Sequence, residues 1–116
     1  MQRYLLEDYI EKLHSNGLLV RHSCSLEALK TSVENVSYNS RNVSRNTLFI
    51  CKGANFREEY LDEAALRGAF AYISEKDYGK GIPCILVNDV KAALAFSSII
   101  FYENPAEKLT LVGITG

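Results

Sequence analysis

Residues 47–73, TLFICKGANFREEYLDEAALRGAFAYI, change period twice, and those changes decide the fold. The stretch 47–51 is an apolar run of strand length, closed by Lys52 and Gly53. Over 58–67 the pattern turns helical, with Leu61, Ala64 and Ala65 on one face and Gly68 as the stop. Residues 70–73 then return to a short apolar strand. Strand, helix and strand follow one another directly, the signature of an α/β layer.

The same grammar extends in both directions. Upstream, Val36-Ser37-Tyr38 alternates like a half-buried strand and Asn39-Ser40-Arg41-Asn42 is turn chemistry. Earlier still, Leu6, Tyr9, Ile10 and Leu13 mark one face of a helix that Asn16-Gly17 can end, and 18–20 reads as a short strand. The stretch 21–35 gives mixed signals, with Ser25 able to cap a turn of helix over 26–30. Downstream come a charged loop at 75–81, a strand at 83–87 and a helix over 90–101 that Asn88 or Asp89 can cap. Asn104-Pro105 breaks that helix, and 109–114 is apolar enough for a strand covered on both faces. The expected class is α/β, a small mixed or parallel sheet flanked by helices. The pair of strands within 36–51 leaves room for the mixed form.

Composition narrows the function classes. The 116 residues suit one domain with one core, and 47% hydrophobic with 23% charged residues argues against disorder. A net charge of −1 with interspersed signs gives no footprint for nucleic acid or an anionic membrane. No apolar run reaches the ~20 residues of a spanning helix and no signal peptide opens the chain, so the cytoplasm is the expected compartment. Cys24, Cys51 and Cys84 are odd in number and widely spaced, which favours buried thiols over disulfides or zinc. His14 and His22 lack ligand-spaced partners, and no catalytic triad can be assembled, so neither a metal site nor a catalytic residue is expected.

The last residues, Leu109-Thr110-Leu111-Val112-Gly113-Ile114-Thr115-Gly116, read as a strand running into the opening glycines of a phosphate-binding loop. A complete G-x-x-x-x-G-K-S/T loop needs a lysine for the terminal phosphates and a hydroxyl for Mg2+, which do not follow here. The expectation is a piece of a larger nucleotide-using enzyme, with Gly113, Thr115 and Gly116 as a partial ATP site.

The sequence 36–53, VSYNSRNVSRNTLFICKG, resembles the N-terminal motif of the Mur ligases, with its D-S-R, valine, turn, L-F and closing glycine. The likeness continues through AALRGA at 64–69, VNDV at 87–90 and FYENP at 101–105 into LVGITG, and it looks most like the MurE branch. The branch that adds D-alanyl-D-alanine is a near neighbour. This resemblance implies a UDP-muramoyl-substrate-binding domain over 1–110 and the start of a central ATPase domain over 111–116. It also implies an ATP- and Mg2+-dependent parent that joins an amino acid to UDP-N-acetylmuramoyl-peptide, with the remaining ligase domains in cis and this stretch silent alone. In the family the serine of D-S-R and the residues after the K-G glycine contact the uridine, which maps here to Ser40, Ala54, Asn55 and Phe56.

Uracil shows acceptor, donor and acceptor along its edge and a flat face, so its site needs short polar side chains on turns plus an aromatic surface. Tyr38 and Asn39 add those types beside Ser40. Three departures stand out: Asn39 replaces an aspartate, Asn46 a glycine, and Arg57-Glu58-Glu59-Tyr60-Leu61 the family's D-G-H-x-F segment. From another class comes a stand-alone nucleotide- or protein-binding module. A dinucleotide-binding fragment ranks last, because no G-x-G-x-x-G follows a strand.

Overall fold

Five short strands build one sheet in the order β1-β5-β4-β3-β2: β1 Leu19–His22, β2 Asn35–Ser37, β3 Thr47–Ile50, β4 Ala69–Ser74 and β5 Cys84–Val87. These come from a computed structural model that describes residues 4–52 and 56–102. From β2 to β5 every pairing is parallel, while β1 runs antiparallel to β5. The sheet is therefore mixed, but its antiparallel strand is β1. The pair suspected within 36–51 is parallel, with Val36 opposite Leu48.

Alternation along the strands splits the apolar residues between two faces. Leu48, Ile50, Ala71, Ile73, Ile85 and Val87 join Leu6, Tyr9, Ile10 and Leu13 of α1 (Leu6–Ser15) and Ala93 and Ile100 of α4 (Val90–Tyr102). Phe49, Cys51, Tyr72 and Cys84 face the other way, onto Leu61 and Ala64 of α3 (Glu58–Arg67). Burial on both faces is why these strands read as continuous apolar runs.

The helix ends follow from named side chains. The Asp8 carboxylate accepts from the Leu5 N–H at 2.9 Å and so holds the start of α1. Ser25 caps the single-turn α2 (Leu26–Leu29) by accepting from the Ala28 N–H at 3.2 Å. Asp89 accepts from the Ala92 N–H at 3.1 Å at the start of α4, whereas the Asn88 amide instead donates to the Gly17 carbonyl at 2.8 Å. α3 ends at Gly68, whose φ of 127° brings the chain so close to the next loop that a Cβ would lie 2.6 Å from the Ser44 carbonyl oxygen. Asn46 holds a left-handed φ of 56°, a conformation asparagine tolerates better than most residues.

The apolar–polar–apolar look of Val36-Ser37-Tyr38 misleads about which side is inside. Ser37 is buried and Tyr38 is 57% exposed. The Ser37 hydroxyl meets its own polarity locally, accepting from the Asn39 N–H at 3.1 Å and donating to the Asn39 carbonyl at 3.0 Å. Ala65, expected on the inner face of α3, is half-buried. No helix among the described residues is long and apolar enough to cross a membrane. The strand expected over 109–114, with Gly113, Thr115 and Gly116, lies outside the described residues, as do Ala54 and Asn55.

Candidate functional site

Parallel pairing puts the C-terminal ends of β2, β3, β4 and β5 along one edge of the sheet. That edge is where open α/β sheets bind ligands. Two loops leaving it carry the predicted residues, one after β2 and one after β3.

The first loop is closed by its own side chains. The Asn39 side-chain oxygen accepts from the Arg41 N–H at 2.9 Å and its carbonyl accepts from the Asn42 N–H at 2.9 Å, which shapes residues Ser40–Asn42 into a 3-10 turn. An aspartate would cap the turn in the same way, so the lost charge leaves the local geometry intact. The Asn39 NH2 group has no acceptor among the described residues.

Ser40 opens this turn and is only 8% exposed. Its hydroxyl donates to Glu63 Oε1 on α3 at 2.8 Å, and Arg67 Nη2 donates to Glu63 Oε2 at 3.2 Å. The Ser40 hydrogen bond, then that of Arg67, and the charges of Arg67 and Arg41 hold the Glu63 carboxyl below the usual glutamate range. Glu63 was not legible as a site residue from sequence. Its i,i+4 pairing with Arg67 is visible in the chain, but its contact with Ser40 spans 23 positions.

The second loop reaches the first through Lys52. Its ammonium lies 5.2 Å from the centre of the Tyr38 ring, within cation–π range. Phe56 is half-buried, its ring centre 5.8 Å from that of Tyr78 and 6.3 Å from that of Tyr60, which it meets edge-on. Tyr78 in turn lies 6.3 Å from Tyr72, whose hydroxyl accepts from the Tyr78 N–H at 3.0 Å. The aromatic surface around Phe56 is thus shared with Tyr78, which sequence reasoning left inside a charged loop.

Two clefts open beside these loops. One of about 500 Å³ is lined by Cys51, Phe56, Ser74, Glu75, Lys76 and Tyr78. Another, of about 360 Å³, runs between β2 and α4 and is lined by Ser37, Tyr38, Asn39, Leu94 and Tyr102 among others. Those of the predicted substrate-binding residues that are described lie on loops at this edge but divide among Tyr38 with Asn39, Phe56, and Ser40 against α3.

Burial pushes the Cys51 thiol far up and Cys24 up to about 11, with Cys84 raised in the same way, so all three are poor nucleophiles. Among the described residues no three His, Cys, Asp or Glu side chains are grouped to hold a metal ion.

No protein-family model matches the chain. It is 53% identical over 81 residues to the UDP-N-acetylmuramoyl-L-alanyl-D-glutamate--L-lysine ligase of Streptococcus agalactiae, covering 70% of this chain and 17% of that protein. The ligase of the same name from Streptococcus pneumoniae is 48% identical over 87 residues, covering 75% of this chain and 18% of that one. The chain thus spans about a sixth of the length of these relatives. A crystal structure of MurF from Acinetobacter baumannii superposes with a TM-score of 0.60 at 17% identity, over 79% of this chain and 20% of that one, and shows the shared fold. About half its aligned residues are identical to those of these ligases, so the matched stretch is similar to the Mur ligases, and to their MurE branch in particular.

Proposed function

We propose that this chain is the substrate-anchoring part of an ATP-dependent Mur ligase and holds the UDP end of a UDP-N-acetylmuramoyl-peptide in peptidoglycan synthesis. The observation that carries the reading is the meeting of two polar loops at Tyr38 and Lys52, on the binding edge of a sheet whose relatives are named for a UDP-muramoyl substrate. Residues 1–110 form the anchoring domain and 111–116 open the ATP-binding one, where Gly113, Thr115 and Gly116 begin the phosphate loop. Asn39 and Ser40 take the edge of the uracil together with Ala54 and Asn55. Phe56 and Tyr38 offer flat surfaces to the base, a contact worth about 1 to 3 kcal/mol where bases stack on aromatic rings.

In the whole ligase the substrate carboxylate takes the terminal phosphoryl group of ATP and releases ADP. The amine of an amino acid then attacks the acyl phosphate, phosphate leaves, and an amide forms. Mg2+ belongs to that phosphoryl chemistry. Among the described residues no cluster of ligand side chains is grouped to hold it. Their part is orientation: fixing the far end of a long substrate raises the effective concentration of its reacting end. By the same kinship the protein acts in the cytoplasm.

Calorimetric titration tests the reading. UDP and UDP-N-acetylmuramoyl-L-alanyl-D-glutamate should both bind the chain, with most of the affinity already present in UDP, and Ser40→Ala should weaken both alike. A chain that binds neither compound would end it.

A further inference from the structure

A serine hydroxyl has one proton to give and two lone pairs to receive with. At Ser40 that proton is spent, because it is donated to Glu63 Oε1 at 2.8 Å. Glu63 cannot return it, since an ionised carboxylate only accepts, and Arg67 at 3.2 Å from the other carboxylate oxygen keeps it ionised and in place. What remains on Ser40 Oγ for any further partner is therefore acceptor capacity alone. The neighbouring Asn39 has the opposite polarity: its side-chain oxygen is committed to the Arg41 N–H, which leaves its NH2 to donate. These two consecutive residues thus offer one donor and one acceptor, the kinds of partner that a carbonyl and an N–H require.

We propose that Glu63 is a positioning residue that fixes Ser40 as an acceptor, so that the site selects a base bearing an N–H beside a carbonyl, uracil, over cytosine, whose ring nitrogen at that position has no proton. This rests on the uridine-anchoring reading above and adds to it a residue on another element and a direction for each hydrogen bond. A serine free to rotate could donate to the cytosine nitrogen as readily as it accepts from uracil. Glu63 removes that freedom, and a buried hydrogen-bonding site left with two acceptors facing each other discriminates strongly.

The test titrates the 116-residue chain and its Glu63→Gln and Ser40→Ala variants with UDP, CDP and 3-methyl-UDP, followed by amide shifts. The wild type should prefer UDP to CDP and to 3-methyl-UDP by about tenfold or more, the scale of one well-made hydrogen bond. In Glu63→Gln, where the partner can itself donate, the UDP:CDP ratio should collapse toward one while the amide spectrum stays folded. In Ser40→Ala the methyl group of 3-methyl-UDP should cost little further. An unchanged UDP:CDP ratio in a folded Glu63→Gln would overturn the role of Glu63 and leave uridine anchoring standing. Equal binding of UDP and 3-methyl-UDP by the wild type would overturn it without any variant. Failure of every nucleotide to bind would remove the anchoring reading and this inference together.

Discussion

The Lys52 ammonium stands 5.2 Å from the centre of the Tyr38 ring, joining the loop after β3 to the loop after β2 across the edge of the sheet. Tyr38 is 57% exposed, so this contact is made in water at the mouth of the proposed site. An exposed cation–π pair contributes about 0.5 to 1 kcal/mol. A double-mutant cycle with Tyr38→Leu and Lys52→Met, read by urea denaturation, should return a coupling of that size. A coupling of zero would mean that the two loops do not support each other.

Gly68→Ala should be among the costliest small changes available. Its φ of 127° is strained for any other residue, and the new Cβ would lie 2.6 Å from the Ser44 carbonyl oxygen, which is backbone and cannot swing away. The conformational strain alone is about 1 to 3 kcal/mol, and the clash adds to it. Chemical denaturation measures the loss. Because Ser44 belongs to the loop that carries Ser40, nucleotide affinity should fall as well.

Glu63 gives the fold an acid-sensitive contact. Its pKa is lowered in the fold, chiefly by the Ser40 hydrogen bond and then by Arg67, so its contribution is fully present above the ordinary glutamate value of about 4.3. That contribution is lost as pH falls through the lower value the folded state imposes. Urea midpoints measured downward from neutral pH should decline less steeply in Glu63→Gln than in the wild type. Parallel declines would show that Ser40 and Arg67 do not hold the carboxylate in solution.

The thiols should be quiet. Cys51 and Cys84 are buried and Cys24 is half-buried, with its pKa pushed up to about 11. Titration with a chromogenic disulfide at neutral pH should label Cys24 slowly, and Cys51 and Cys84 only once denaturant is added. Rapid labelling of Cys51 in the folded protein would contradict the packing of the β3 end against Tyr72.

What could be read from the chain was what local chemistry writes into it. α3 was bounded by the spacing of Leu61 and Ala64 and by Gly68, and it forms over Glu58–Arg67 as expected. Ser25 and Asp89 likewise cap the helices that the sequence assigned to them. The direction of β1 was not legible, because it depends on partners such as Ser23 and Cys84, which meet across 61 positions. The burial of Ser37 and the exposure of Tyr38 reverse their polarity, since a serine that bonds the Asn39 backbone on both sides can sit inside. The roles of Glu63 and Tyr78 were hidden for the same reason as β1: each acts through a residue brought near only by the sheet.

Backbone amide mapping with UDP, on the chain alone, tests whether the loops after β2 and β3 hold the uridine. Uridine anchoring requires the largest shifts at 38–41 and 52–56, with Lys52 and Tyr38 responding together. A Ser40 amide that stays unmoved at saturation, or shifts confined to the far edge at β1, would contradict it.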